Sequence, residues 1–265
     1  MKRQLFLRSV LAAVFSVSVS GLALADGKPF RVGVTPGPHA QIVEEAKAVA
    51  AKDGLDVEVI EFTNYMLPNQ ALASGELNAN SFQHKPYLDN QVRSQGLKLI
   101  AISQSIAFPM GIYSRTLTDL KAVPEGAKVG VPNDPSNNAR ALILLQDAKL
   151  IELKPDFGIN GTVQDIASNP HKLQFIEMDA AQLPRSLGDV GLAVIPTNYA
   201  LDAGLNPKQD ALILEPADSP YTGIIAVRES DKDNEDVAKF IRAYRSPEVK
   251  AFIETTFKGA ILPTW

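Results

Sequence analysis

The order of strands and helices along this chain constrains its fold more than any other sequence feature. Phe30–Val34 is typical of a buried strand, and between Ile42 and Ala50 the apolar residues recur at the spacing of an amphipathic helix. The alternation continues with predicted strands at Val57–Phe62 and Leu97–Ser103 and predicted helices at Asn69–Ser74 and Tyr87–Ser94. Because parallel strands need long crossovers, this order predicts a parallel sheet covered by helices on both faces.

The second half of the chain repeats this plan. Its predicted elements are a strand at Lys128–Val131, a helix from about Asn137 to Ala148, a strand at Leu173–Met178, a helical turn at Gln182–Leu187 and a strand at Leu192–Ile195. A last strand, Ile224–Val227, precedes helices at Glu235–Tyr244 and Glu248–Phe257. Since no long flexible linker is present, we predict an α/β fold of two lobes, with a ligand cleft at the carboxyl ends of the strands.

The N-terminus has the pattern of a secretory signal. Basic residues precede the apolar run Val10–Leu24, and Ala23-Leu24-Ala25 has the small side chains that a signal peptidase requires. We predict that residues 1–25 form a signal peptide cleaved after Ala25. A membrane anchor is disfavoured, because the apolar run is shorter than the roughly 20 residues of a spanning helix and contains serines.

Composition excludes several classes of protein. The chain contains no cysteine, which rules out disulfides, thiolate metal sites, a cysteine nucleophile and a lipid-modified N-terminal cysteine. We therefore expect a soluble periplasmic protein without a lipid anchor. The net charge of −4 and the lack of a lysine and arginine cluster argue against nucleic acid as a partner.

Polar and aromatic residues cluster in three segments that follow predicted strands: Thr63–Asn69, Asn80–Tyr87 and Asn133–Arg140. In the third segment, Ser136 can cap the following helix, and Arg140 falls in its first turn. A cation near the start of a helix interacts unfavourably with the helix dipole, which suggests that Arg140 is there to bind an anion such as a carboxylate. The alternatives are a surface arginine or an internal salt bridge with an acidic residue such as Asp134.

Aromatic residues in the other two segments could enclose an apolar ligand group. In an extended segment Phe82 and His84 share one face, and a thioether is attracted to aromatic edges. Tyr65 has the same potential. The alternative for all three is an aromatic core cluster in which His84 is satisfied by backbone groups.

Signals for catalysis or metal binding are weak. The sequence lacks the G-x-S-x-G, H-E-x-x-H, P-loop and G-x-G-x-x-G motifs. His39, His84 and His171 lie too far apart in the sequence to resemble a local ligand set. We expect no metal, no cofactor and no enzymatic activity.

Several motifs together resemble the MetQ/NlpA family of methionine-binding proteins, over about Phe30 to Trp265. The motifs are Tyr65-Met66-Leu67-Pro68-Asn69, ANSFQHKPYL at Ala79–Leu88, VPND at Val131–Asp134 with Asn137 and Arg140, QLPRSL at Gln182–Leu187, and Ser219-Pro220-Tyr221. FQHKPYL and QLPRSL, in this order and with the right intervening lengths, are far more specific than any single motif.

The resemblance implies a type II-like periplasmic-binding fold in which the second lobe is inserted into the first. We place the first lobe at residues 26–110 and 225–265 and the second at residues 111–224. The arginine matching Arg140 clamps a ligand carboxylate in the family, and the remaining implied ligand-binding residues are Phe82, His84, Tyr65, Phe108, Asn137, Asn198 and Tyr221. The implied partner is an inner-membrane ABC permease with its cytoplasmic ATPase.

Two positions depart from the family pattern. Pro196 and Gly223 stand where many relatives carry asparagines that hold the α-amino group of the ligand. A missing hydrogen bond to a charged group costs about 1.5–3 kcal/mol, which weakens the case for free methionine. Gly223 could instead make room for a larger or N-substituted ligand, and Thr197 or Asn198 could compensate by a shift in register. Phe108 replaces a tyrosine that relatives often carry.

These features predict a periplasmic solute-binding protein that delivers methionine, in the L or D form, or a close derivative to an ABC importer. The alternative ligand is a methionine-containing dipeptide or another small organosulfur carboxylate. A remote alternative is an enzyme on the same fold, which would need a catalytic constellation. A structural envelope protein would need no pocket, and would bury Arg140 and Phe82 away from any cleft.

Overall fold

The computed structural model describes residues 28–216 and 219–265. Its strands are β1 (Phe30–Val34), β2 (Val57–Glu61), β3 (Ala79–His84), β4 (Leu99–Gln104), β5 (Ile106–Ala107), β6 (Gly111–Tyr113), β7 (Lys128–Pro132), β8 (Glu152–Leu153), β9 (Ile166–Ser168), β10 (Gln174–Met178), β11 (Leu192–Ile195), β12 (Ala211–Leu214), β13 (Gly223–Arg228) and β14 (Leu262–Pro263). Its α-helices are α1 (Pro38–Ala50), α2 (Leu67–Ser74), α3 (Lys85–Gln95), α4 (Pro135–Asp147), α5 (Leu183–Ser186), α6 (Thr197–Asp202), α7 (Pro207–Asp210), α8 (Glu235–Tyr244) and α9 (Pro247–Phe257). The predicted signal peptide lies outside the described residues.

The strands form two five-stranded sheets, one in each lobe. The first sheet has the order β2-β1-β3-β13-β4, and the second has the order β10-β7-β11-β6-β12. Both sheets are mixed, which corrects the prediction of a parallel sheet. In the first sheet β13 runs antiparallel to β3 and β4, and in the second β6 runs antiparallel to β11 and β12.

Each sheet is covered by helices on both faces, as the alternation of strands and helices predicted. In β13, Ile225 and Val227 pack toward α1, α8 and α9, whereas Ile224 and Ala226 pack toward α2 and α3. The second sheet follows the same rule, with α4 on one face and α5 and α6 on the other. Alternate residues of a strand point to opposite faces, so both faces of these central strands are apolar.

The central strand β3 was not predicted, because its sequence, ANSFQH, is largely polar although all six residues are buried. Two of its polar side chains, Asn80 and Gln83, are satisfied by a network with α2. Asn69 and Gln83 exchange two amide hydrogen bonds of 2.9 and 2.7 Å, and Asn80 donates to Asn69 over 2.9 Å. Paired amides can be buried at little cost, whereas unpaired ones cannot.

Two chain segments cross between the lobes. The first runs through Phe108 and Pro109 into β6, and the second leads from the end of β12 to β13. Strand β13 begins at Gly223, two residues before the predicted return to the first lobe. In each lobe the antiparallel strand of the sheet is therefore the one that follows a crossing segment.

Within the described parts of the chain, no helix has the length and apolar content needed to cross a bilayer.

Candidate ligand-binding cleft

A cavity with an empty volume of about 410 Å³ lies between the lobes. Its lining contains all eight residues predicted to bind ligand, namely Tyr65, Phe82, His84, Phe108, Asn137, Arg140, Asn198 and Tyr221. Pro196 and Gly223 also line it, together with the unpredicted His39, Gln83 and Tyr87. Several of these residues stand at or directly after the carboxyl ends of strands, since His84 ends β3 and Pro196 follows β11.

Arg140 is buried beside the cavity and forms an internal ion pair. Its Nε donates to both carboxylate oxygens of Glu215 over 3.0 Å, and its Nη2 donates to Glu215 and, over 2.6 Å, to the carbonyl of Phe108. The guanidinium also lies 4.8 Å from the centre of the Tyr221 ring. Nη1 makes no hydrogen bond to any described residue, so its two N–H groups are the ones available to a ligand.

Three details of the sequence argument about Arg140 were wrong. Its acidic partner is Glu215 and not Asp134. Helix α4 begins at Pro135, so Arg140 lies in the second turn, and the N-cap is Asp134 instead of Ser136. The Asp134 carboxylate accepts from the backbone N–H of Asn137 over 3.0 Å and from the Ser136 hydroxyl over 2.9 Å.

Glu215 connects Arg140 to both crossing segments. Besides the arginine, its carboxylate accepts hydrogen bonds from the backbone N–H of Met110 over 3.1 Å and from the Ser219 hydroxyl over 2.7 Å. Met110 follows the first crossing segment, and Ser219 belongs to the second. The ion pair therefore fixes the hinge region next to the cavity wall.

His84 links the lobes through a chain of hydrogen bonds. Its Nδ1 accepts from the backbone N–H of Tyr87 over 3.1 Å and so caps α3. Since Nδ1 is an acceptor, the ring proton lies on Nε2, which donates to Asn137 Oδ1 over 3.0 Å. The Asn137 amide in turn donates to Asp134. Burial, with a smaller contribution from the Arg140 charge, lowers the pKa of His84 to about 3, so the ring is neutral.

An aromatic cluster forms one wall of the cavity. The Tyr65 ring lies 5.8 Å from Phe82 and 5.9 Å from Tyr87, and Phe82 meets Tyr87 edge to face at 5.9 Å. The Tyr87 hydroxyl donates to the Tyr65 carbonyl over 2.8 Å, which orders this wall. Its surface is suited to an apolar or thioether group.

The two lobes touch across the cavity. The Tyr65 hydroxyl of the first lobe donates to Asn198 Oδ1 of the second over 2.6 Å. Asn198 Nδ2 also approaches the Thr35 hydroxyl at 3.4 Å, and Tyr65 stacks at 4.9 Å on Tyr199. These contacts describe a closed arrangement of the two lobes.

Two buried polar atoms of the lining have no hydrogen-bond partner among the described residues: His39 Nδ1 and the Tyr221 hydroxyl. His39 is 4% exposed and Tyr221 is 5% exposed. His39 stacks at 4.5 Å on Phe108, and burial lowers its pKa to about 3. Unsatisfied buried polar atoms carry a cost, and a ligand group that reached these two atoms would remove it.

The two departures from the family pattern have different local causes. A Cβ atom at Gly223 would lie 2.7 Å from the Ile106 carbonyl oxygen and 2.8 Å from Ser105 Oγ, so a side chain there would require the backbone of Ile106 to shift. Gly223 is therefore required by the close approach of β5, and does not simply make room for a ligand as the sequence suggested. Pro196 is the N-cap residue of α6 and offers the cavity only its ring.

A model of the NlpA lipoprotein family matches residues 30–265. The chain belongs to this family. It is 43% identical over 262 residues to the D-methionine-binding lipoprotein MetQ of Salmonella typhimurium, covering 97% of each chain. It is 44% identical over 244 residues to Lipoprotein 28 of Escherichia coli, covering 91% of this chain and 90% of the relative.

Solved structures of family members have the same fold. A nutrient-binding protein from Burkholderia cenocepacia, bound to methionine, superposes with a TM-score of 0.87 at 51% identity, covering 89% of this chain and all of the other. The methionine-binding protein MetQ gives a TM-score of 0.87 at 45% identity, covering 89% and 98%. These likenesses confirm the predicted family, the α/β two-lobed binding-protein fold and the assignment to binding proteins instead of enzymes.

The prediction that the protein has no lipid anchor was wrong. The absence of cysteine led us to expect a protein without a lipid anchor, but the family and its relatives are named as lipoproteins. Composition alone was therefore a poor guide to anchoring.

Sequence reasoning missed four residues that bear on the site. Gln83 and Tyr87 lie within the recognised ANSFQHKPYL motif, whose neighbours were selected, so the signal was present. His39 was dismissed because it is distant from the other histidines in sequence, yet it lines the same cavity as His84. No sequence pattern near Glu215 indicated its role, because its partner Arg140 lies 75 positions away in the chain. The described residues contain no group of three acidic or histidine side chains able to hold a metal.

Proposed function

We propose that this NlpA-family chain is the substrate-binding component of an ABC importer for methionine, in the L or D form, or for a close methionine derivative. One observation carries the proposal: the predicted residues converge on a closed cavity that combines a buried arginine with an aromatic wall. Relatives named as methionine-binding proteins, and a neighbour bound to methionine, support the choice of ligand.

In this proposal the two ends of the ligand meet different parts of the cavity. The Nη1 edge of Arg140 donates to the ligand carboxylate, since a charge-assisted pair is the strongest hydrogen bond available there. The wall of Tyr65, Phe82 and Tyr87 receives the thioether, because sulfur is attracted to aromatic rings. A ligand that contacts both lobes stabilises the closed arrangement relative to the open one.

The partners and processing belong to the same proposal. The closed form would present both lobes to an inner-membrane permease coupled to a cytoplasmic ATPase. The first lobe would span residues 26–110 and 225–265 and the second residues 111–224, as the family resemblance implies. Residues 1–25 would act as the export signal, on the strength of their charge and apolar pattern.

A second candidate ligand is a methionine-containing dipeptide or another small organosulfur carboxylate. Pro196 and Gly223 favour it, because neither supplies a side-chain acceptor for an ammonium group on the carbon that carries the ligand carboxylate.

The test of the function is ligand identification. Mass spectrometry of the small molecules that copurify with the protein should find methionine or a molecule containing it. Thermal-shift and calorimetric titration should then give saturable binding with a 1:1 stoichiometry. If no methionine compound copurifies or binds, the proposed function is wrong.

A substitution that keeps the positive charge tests whether the guanidinium of Arg140 binds the ligand. Arg140→Lys keeps a cation opposite Glu215 but loses the forked guanidinium, so ligand affinity should fall about tenfold or more, the loss of about one charged hydrogen bond. The exposed Arg242→Lys on α8 is the control and should bind as the parent does. Equal affinity in the Arg140→Lys variant would remove Arg140 from the site.

A further inference from the structure

Resting on the proposed function, we propose that the preferred ligand is an amine-blocked amino acid, with its nitrogen in an uncharged N-acyl amide. N-acetylmethionine represents the class. The hydrogen-bonding groups of the cavity suit one amide donor and one amide acceptor, and the described lining residues include no carboxylate to pair with an ammonium ion.

The charges around the cavity disfavour an ammonium ion. None of the described lining residues is acidic, and the one charged side chain among them is the cation Arg140. The nearest acid, Glu215, already accepts hydrogen bonds from Arg140, Ser219 and the Met110 backbone. The Asp134 carboxylate is likewise occupied by Asn137 and Ser136.

The amide oxygens of the lining are also occupied. Asn137 Oδ1 accepts from His84, Asn198 Oδ1 accepts from Tyr65, and Gln83 Oε1 accepts from Asn69. An ammonium ion has three donors and needs acceptors of this kind when it is buried. Each of these oxygens keeps a second lone pair, but no carboxylate among the described lining residues would balance the charge of an ammonium ion.

Positions 223 and 196 supply no side-chain acceptor for an ammonium ion. A side chain at position 223 would require the backbone of Ile106 to shift, because a Cβ would approach the Ile106 carbonyl oxygen to 2.7 Å. The Gly223 carbonyl accepts from the Ser105 backbone over 2.9 Å, and the Pro196 carbonyl accepts from Tyr199 over 3.1 Å. Pro196 and Gly223 therefore contribute only steric and apolar contacts to the cavity.

The two unpartnered lining atoms match a secondary amide. A neutral His39 with its proton on Nε2 has an acceptor at Nδ1, which can receive an amide N–H. The Tyr221 hydroxyl can donate to the acyl carbonyl. An amide supplies one donor and one acceptor, so both buried atoms are satisfied without introducing a charge.

The position of Tyr221 agrees with the covalent structure of such a ligand. In an N-acyl amino acid the amide nitrogen and the carboxylate are bonded to the same carbon, so the groups that bind them must be adjacent. The Tyr221 ring lies 4.8 Å from the guanidinium carbon of Arg140 and 5.0 Å from the His84 ring. Tyr221 is therefore adjacent to the arginine that is proposed to bind the carboxylate.

Three ligands separate this inference from the proposed function. After removal of any copurified ligand by unfolding and refolding, the protein is titrated calorimetrically with N-acetyl-L-methionine, L-methionine and 4-(methylthio)butanoate, which lacks the amine. We expect N-acetyl-L-methionine to bind at least about tenfold more tightly than L-methionine. If L-methionine binds as tightly or more tightly, the inference is wrong and the proposed function stands. If none of the three binds, both fail.

A single hydroxyl provides the second test. Tyr221→Phe should lower the affinity for N-acetyl-L-methionine about tenfold, and should affect 4-(methylthio)butanoate much less because it has no acyl carbonyl. The control is Tyr113→Phe, since Tyr113 is buried in the core of the second lobe and does not line the cavity. An equal loss for both ligands in Tyr221→Phe would contradict the role of the hydroxyl.

Discussion

His39 and His84 are neutral in the folded protein for a physical reason that sequence does not reveal. Both rings are buried, and burial lowers each pKa from 6.5 to about 3. In the unfolded chain both rings regain ordinary pKa values. Between these values the unfolded state binds more protons than the folded state, so stability rises with pH.

The first prediction concerns this pH dependence. The contribution of the two histidines is fully present above about pH 6.5 and is lost as pH falls toward about 3. Each should contribute a slope of up to about 1.4 kcal/mol per pH unit, measured by urea unfolding at several pH values. His84→Asn keeps an acceptor for the N-cap of α3 and should remove one histidine's share of the slope. An unchanged slope would show that His84 does not titrate as described.

The second prediction concerns Gly223. Gly223→Ala places a methyl group against the backbone of Ile106, so the free energy of unfolding should fall by about 1–3 kcal/mol. The control is Gly188→Ala, at an exposed position where the added methyl would meet nothing within 4 Å. Chemical denaturation of the two variants measures the difference, and equal stabilities would contradict the steric account.

At the scale of elements, the ion pair between Arg140 and Glu215 joins helix α4 to both crossing segments. The two side chains are only 5% and 9% exposed, so neither charge can be left alone without a large cost. Third, Glu215→Ala should therefore lower the free energy of unfolding by about 3 kcal/mol or more.

The matched control for that substitution is Glu125→Ala. Glu125 pairs with Lys172, and both side chains are mostly exposed, so its loss should cost less than about 1 kcal/mol. If the two glutamate variants were equally stable in urea, the pair at the hinge would not fix the crossing segments.

The elements show which parts of the fold could be read from sequence. Strand β1, strand β11 and helix α8 were predicted to the residue, because apolar periodicity alone defines them. Strand β3 was missed because its buried polar residues depend on α2. Short strands such as β6 exist only through pairing with distant partners, which leaves no local pattern.

The family motifs explain why the sequence located most of the residues that line the cavity. The motifs that carried the family resemblance include or adjoin every predicted lining residue except Phe108, Pro196 and Asn198. What sequence could not supply was the hydrogen-bond state of each atom. The occupation of Arg140 by Glu215, and the use of the Asn137 and Asn198 oxygens, follow from contacts between distant segments.

For the whole molecule, the contact between Tyr65 and Asn198 helps to hold the lobes closed. Fourth, Tyr65→Phe removes that hydrogen bond, and ligand affinity should fall about three- to tenfold because closure becomes less favourable. Calorimetry measures the affinity, and small-angle X-ray scattering should show a less compact ligand-loaded form.

Tyr199→Phe is the comparison. The Tyr199 hydroxyl reaches the Thr63 carbonyl only at 3.5 Å, so its removal should have a smaller effect. The reverse order of the two variants would assign the closing contact to Tyr199.

The cavity shares its wall with the two crossing segments, because Phe108 and Tyr221 belong to them. If the lobes open and close as the proposed function requires, a ligand in this position would sit near the axis of their rotation. Points near such an axis hardly move, whereas the outer surfaces sweep wide arcs for the same angle. Binding of a ligand only a few ångströms long would thereby change the shape of the outer surfaces enough for a much larger partner protein to detect it.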